Sequence, residues 1–142
     1  MAGYSGTPLA KKLGLKEGFR VGFVNAPKGF QQELGSLPSD VKICVARLPK
    51  PLDLILFFAD SQQKLKREFP TLSQKLTKNG MLWIAWPKKA SGIVTDLSDS
   101  SVRRIGLDAG LVDVKVCAVN NIWSGLKFVY RLEDRASLPA SR

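Results

Sequence analysis

Two stretches of this chain are apolar almost without interruption, and they constrain its fold more than any other feature. They are Leu52-Asp53-Leu54-Ile55-Leu56-Phe57-Phe58 and Met81-Leu82-Trp83-Ile84-Ala85-Trp86. A strand with one wet face alternates apolar and polar side chains, whereas a strand covered on both faces does not. Both stretches therefore read as central strands of a parallel sheet that carries helices on either side. Between them, Leu65, Phe69, Leu72 and Leu76 recur at helical spacing behind a capping Ser61. Pro70 lies inside that stripe as a kink or a break, and Asn79-Gly80 is expected to end the helix.

The rest of the chain is punctuated in the same way. Thr7 is expected to cap a short helix with Pro8 at its first position, Leu9 and Leu13 on one face, and a stop at Gly14. Arg20 to Val24, Val41 to Ala46, Val112 to Val119 and Leu126 to Leu132 read as further strands. A brief helix spans Gly29 to Leu34. A longer one, from about Ser98 to Ala109, turns Val102, Ile105 and Ala109 inward and closes at Gly110. The connection from Asn120 to Gly125 is too short for a parallel crossover, so the last two strands must be antiparallel. The expected fold is a single three-layer α/β, Rossmann-like sandwich, its mostly parallel sheet of about six strands ending in an antiparallel pair. Residues 1–17 are expected to form an N-terminal helical segment packed on the domain, 18–133 the α/β domain, and 134–142 a flexible tail.

With 142 residues, 44% of them hydrophobic, the chain can bury roughly two-thirds of its unfolded surface in one core. No stretch approaches the ~20 apolar residues of a membrane span, and Met1-Ala2-Gly3-Tyr4 begins no signal peptide, so the expected location is the cytoplasm, off the membrane. There Cys44 and Cys117, both in strand-like runs, are expected as buried, reduced thiols. The chain contains no histidine, which excludes Ser-His-Asp and Cys-His nucleophilic systems and argues against a transition-metal site. Its net charge of +10, from 22 basic and 12 acidic side chains, admits a nucleic-acid partner. No zinc-finger, KH-type or RNP pattern accompanies that charge, and a basic solvent-facing surface is the favoured account of it.

The C-terminal antiparallel pair resembles the end of the class I S-adenosylmethionine-dependent methyltransferase sheet. The resemblance runs from about residue 18 to 132, with one strand-helix unit missing, since Arg47-Leu48-Pro49-Lys50-Pro51 is too short to hold it. It implies an acidic-plus-glycine motif after the first strand and an acidic residue ending the second, to hold S-adenosylmethionine. At those places this chain has Asn25 and Arg47, and its first turn, Ala26-Pro27-Lys28-Gly29, keeps a single glycine. The chain is also similar to an uncharacterised family of small bacterial proteins carrying a domain of unknown function. That similarity rests on Gly3-Tyr4-Ser5-Gly6-Thr7-Pro8-Leu9-Ala10-Lys11-Lys12-Leu13-Gly14, on Trp83-Ile84-Ala85-Trp86-Pro87-Lys88-Lys89, and on Val116-Cys117-Ala118-Val119 with Trp123-Ser124-Gly125.

In an open α/β sheet, ligands bind beyond the carboxyl ends of the strands, where the strand order reverses. The exits Asn25 to Lys28, Ala59 to Gln62 and Trp86 to Lys89 are expected to converge there. Asn25 offers a hydrogen bond, and Lys28, Lys88 and Lys89 offer positive charge. Trp86 and Trp123 offer stacking surfaces. Asp60 is the one carboxylate directly after a central strand, and Thr95 sits in a mobile loop with Asp96, which is expected to cap the next helix. The partner this set suits is a small anionic or nucleotide-like ligand held without catalysis. Active methyl transfer and nucleic-acid binding are the competing functions.

Overall fold

A computed structural model describes residues 8–137. The strands are β1 (Arg20–Val24), β2 (Lys42–Cys44), β3 (Leu52–Phe58), β4 (Leu76–Pro87), β5 (Leu111–Ala118) and β6 (Trp123–Tyr130). The α-helices are α1 (Leu9–Leu13), α2 (Gln62–Ser73) and α3 (Asp99–Asp108), with short 3-10 helices at Phe30–Leu34, Lys89–Ser91 and Leu132–Ser137. The expected cap Thr7 lies outside the described residues. Pro8 itself occupies the capping position, its carbonyl accepting from Lys11 N and Lys12 N, each at 3.1 Å.

The six strands form one sheet in the order β2-β1-β3-β4-β6-β5. Pairs among β2, β1, β3 and β4 are parallel, while β6 runs antiparallel between β4 and β5. Both core layers follow from the pleat, which sends alternate side chains of β3 to opposite faces. Ile55 and Phe57 pack with Leu65, Phe69, Leu72 and Val102 under α2 and α3. Leu54, Leu56 and Phe58 pack with Leu9, Leu13, Phe30 and Leu34 under α1 and the first 3-10 helix. This is the Rossmann-like sandwich that the two apolar runs require. Residues Val45 to Pro51 lead directly from β2 to β3, without a further strand or helix.

Three local expectations are corrected. Helix α2 ends at Ser73 rather than at Asn79-Gly80, and it continues through Pro70 undivided. Burial of Phe69, Leu72 and Ser73 holds the last turn to the core in spite of the missing amide proton. Leu76 is therefore already sheet, paired with Leu52, but the next matched pair is Leu54 with Met81, so residues 77–80 bulge from the ladder. Gly80 makes the bulge possible: a Cβ there would lie 2.9 Å from Leu76 Cβ and 3.0 Å from the Thr77 carbonyl oxygen. Strand β6 begins at Trp123 rather than Leu126, because Asn120 Oδ1 accepts from Ile122 N at 2.8 Å and Trp123 N at 2.9 Å and shortens the turn. Cys44 and Cys117 are free thiols, half-buried instead of buried, since each lies on one of the two outermost strands.

The bulge has a measurable cost. Thr77 is 1% exposed, and its Oγ1 has no hydrogen-bond partner among the described residues. A buried unpaired hydroxyl loses its hydration without compensation, so Thr77→Val is expected to stabilise the domain by about 1 kcal/mol. A urea midpoint below that of the parent would show that the hydroxyl is satisfied in solution.

Candidate functional site

Strand order reverses between β1 and β3, and a cavity opens beyond the carboxyl end of β1, on its β2 side. It occupies about 550 Å³ and is lined by Asn25, Lys28, Gln31, Gln32 and Val45 over a floor of Phe23 and Phe30. The local backbone explains its shape. Asn25 ends β1 in the left-handed region at φ 57°, a conformation its short amide side chain tolerates better than most. Gly29, at φ 83°, reverses the chain again into the 3-10 helix. These two turns lift Ala26-Pro27-Lys28 over the strand end and leave space behind them.

A ladder of rings floors the rim from β1 to β6. Phe23 meets Phe30 edge-on at 5.4 Å, Phe30 meets Phe58 at 4.9 Å, and Phe58 meets Trp123 at 5.0 Å. Trp123 thus stands at the carboxyl edge, as the parallel run of β5 demands, with its ring packed against Phe58. Asn120 Nδ2 donates to Glu33 Oε1 at 2.8 Å, joining the hairpin turn to the 3-10 helix.

The strand exits share one edge of the sheet, but their side chains do not meet. Asn25 and Lys28 belong to the cavity on the α1 face, with Phe23 and Phe30. Trp86 is 5% exposed and packs on the opposite face, among Leu97 and Val102. It lines a second cleft of about 230 Å³ with Lys88, Lys89, Ser98 and Asp99. Neither Lys88 nor Lys89 forms an ion pair among the described residues, whereas Asp99 and Asp113 both engage Arg103.

Asp60 and Thr95 serve the loop. Asp60 pairs with Lys64 at 3.3 Å, and its carbonyl accepts from Thr95 Oγ1 at 2.6 Å. Thr95 Oγ1 also accepts from Leu97 N at 3.1 Å. Asp96 does not cap α3. Its Oδ1 accepts from Gln62 N at 2.8 Å, and its carbonyl accepts from Gln62 Nε2 at 2.8 Å, so it caps α2 from across the sheet edge. Ser98 caps α3 instead, in a reciprocal box with Ser101. Asp96 lies two residues before that cap.

Groups suited to nucleophilic chemistry are sparse among the residues lining the cavity. Burial pushes the Cys117 thiol above its usual range, against the opposing pull of Lys12, Lys115 and Lys127, so it is not an activated thiolate. The residues lining the β1 cavity include three amide side chains and one lysine, with no carboxylate, thiol or hydroxyl among them. Arg47 is exposed three residues beyond β2 and does not line the cavity. The carboxylates that would receive the ribose hydroxyls of S-adenosylmethionine are thus absent from this cavity, and its residues do not fit that cofactor in the manner the resemblance implies. Sequence reasoning missed Gln31, Gln32 and Val45 as lining residues; closeness to the Gly29 turn signals the two glutamines, and only the pairing of β2 with β1 brings Val45 to them.

No protein-family model and no curated protein matches this chain. Solved structures do match it. A SAM-dependent methyltransferase from Aquifex aeolicus superposes with a TM-score of 0.58 at 18% identity, covering 84% of this chain and 86% of that one. Magnesium protoporphyrin IX methyltransferase from Synechocystis, with bound SAH, gives 0.57 at 10% identity over 81% and 75% of the two chains. A TehB-like SAM-dependent methyltransferase from Corynebacterium glutamicum gives 0.55 at 10% identity over 92% and 91%. At such identities the likeness concerns the fold: this chain has the class I methyltransferase architecture. No helix among the described residues is long and apolar enough to cross a membrane.

Proposed function

We propose that this protein is a noncatalytic binding domain on a methyltransferase fold, taking a small anionic or nucleotide-like ligand in the cavity beyond β1. The observation that carries this reading is the lining of the cavity beyond the ends of β1 and β2. It holds one cation, Lys28, with the amides of Asn25, Gln31 and Gln32, and no group suited to proton transfer near neutral pH. Its volume of about 550 Å³ falls in the usual range of small-molecule sites. A phosphate or carboxylate pairs with the Lys28 ammonium, while the amides orient the remaining polar groups. Phe23 and Phe30 give the cavity an apolar floor.

An amide-resolved NMR titration with AMP, pyrophosphate and S-adenosylhomocysteine tests the reading. Saturable shifts at Asn25, Lys28 and Gln31 with AMP or pyrophosphate are expected. Lys28→Gln, which removes a charge-assisted contact, is expected to weaken that binding about tenfold. An absence of shifts at millimolar AMP and pyrophosphate would overturn the proposed ligand class. Saturation by S-adenosylhomocysteine at the same residues, followed by methyl transfer from S-adenosylmethionine, would overturn the noncatalytic assignment.

A further inference from the structure

A row of aligned side chains crosses the last three strands on the α1 face. Trp83 of β4 stands opposite Lys127 of β6, and Lys127 stands opposite Lys115 of β5. The Lys127 ammonium lies over the Trp83 ring, 5.9 Å from its centroid. Lys12 of α1 closes over this row: its Nζ donates to the Ala118 carbonyl at 3.3 Å, and Lys115 Nζ donates to the Lys12 carbonyl at 3.3 Å. Lys16, just beyond α1, enters the same field. Burial first, then Lys115 and Lys16, lower the Lys127 ammonium below its usual range.

Lys12, Lys115 and Lys127 therefore meet on one face, with Lys16 near enough to act on Lys127. None forms an ion pair among the described residues, although Glu17 follows Lys16 in the chain. The one carboxylate of β5, Asp113, pairs with Arg103 at 2.9 Å beside α3, which covers the other face of the sheet. Backbone carbonyls and an indole ring hold the lysines together against their mutual repulsion, and a bound polyanion relieves that repulsion.

The geometry also indicates the form of the polyanion. These lysines lie on an open face running to the edge strand β5, and neither the β1 cavity nor the Trp86 cleft includes them. Charges spread over one helix end and two strands suit an extended chain of anions better than a compact ligand. Trp83 is fully buried, so it offers no ring for base stacking. Contacts limited to phosphates position a polymer without reading its sequence. We propose that this face binds the phosphodiester backbone of a nucleic acid through Lys12, Lys16, Lys115 and Lys127. The site shares no residue with the β1 cavity and stands independently of it.

The test is fluorescence anisotropy of labelled single-stranded RNA and duplex DNA of mixed sequence, titrated with the full chain over a series of salt concentrations. Four neutralised phosphates give a slope of log K against log salt near about −3 on a single strand or about −4 on a duplex. Lys16 and Lys115 are exposed, so the double variant K16Q/K115Q removes charge without touching the packed Lys127. It is expected to keep its melting temperature and lose about half of that slope. K88Q/K89Q is expected to retain the parent slope. Binding to either polymer with these slopes supports the assignment, and the preferred polymer identifies the source of the backbone. An unchanged slope in K16Q/K115Q, no binding at low salt, or equally tight binding of polyglutamate would overturn it. The last outcome would assign the face to an acidic protein.

Discussion

Gly106→Ala is expected to destabilise the domain by about 3 kcal/mol, at the upper end of what overpacking a core usually costs. In an exposed helix the same change would stabilise by up to about 1 kcal/mol, so the two expectations differ in sign. The difference arises from one ring. Gly106 is buried on the inner face of α3, where an added Cβ would overlap Phe128 of β6 at Cε1, Cζ and Cδ1. That ring has little freedom to retreat, because it meets Phe69 of α2 edge-on at 5.3 Å. Urea denaturation provides the measurement. A midpoint above that of the parent would mean that α3 rides further from the sheet than described. Phe128→Leu in the Gly106→Ala background is expected to recover part of the loss, since the two sites are in contact and their effects are not additive.

Trp83→Ala is expected to cost more, about 4 kcal/mol, as a fully buried indole is replaced by a cavity. Against a typical total of 5–15 kcal/mol, that is a large share of the stability of any domain this size. Trp83 has no exposed surface, and Gly125 of the neighbouring strand leaves room for its ring. Its Nε1 donates to the Leu13 carbonyl at 2.8 Å, tying the end of α1 to the centre of the sheet. Trp83→Phe separates the two contributions. It keeps most of the apolar volume but strands the Leu13 carbonyl, for a loss of about 1–2 kcal/mol. Amide exchange in residues 9–13 should accelerate in Trp83→Phe more than exchange in β3. Equal losses for the two substitutions would show that the hydrogen bond to Leu13, lost in both, and not the volume of the ring, dominates.

Much of the fold is legible in the sequence because its signals are local. The uninterrupted apolar runs of β3 and β4 require cover on both faces, and the short turn before β6 permits only an antiparallel neighbour. Ser61 caps α2 as its position suggests, with Oγ accepting from Lys64 N at 3.2 Å. Where local signals mislead, a distant partner has overruled them. Leu76 continues the helical stripe of α2, yet pairing with Leu52 draws it into the sheet. Asp96 looks like the cap of the helix that follows it, but the amide of Gln62 takes its carboxylate.

Of the residues expected at the rim, Asn25 and Lys28 line the cavity beyond β1, whereas Trp86, Lys88 and Lys89 line the cleft on the other face. Their chain positions do not say which face of the sheet each one serves. Lys28 and Lys88 each follow a parallel strand, yet one belongs to the cavity above Phe23 and the other to the cleft beside Trp86.

Sequence by itself determined the identity and direction of the strands, because apolar periodicity and turn length act over a few residues. Tertiary structure alone decided what those strands bring together. Strand register assembles Lys115, Lys127 and Trp83 into one row, and the seating of α1 adds Lys12. Register is a relation between segments far apart in the chain, and a slip of one residue would send every side chain of a strand to the other face.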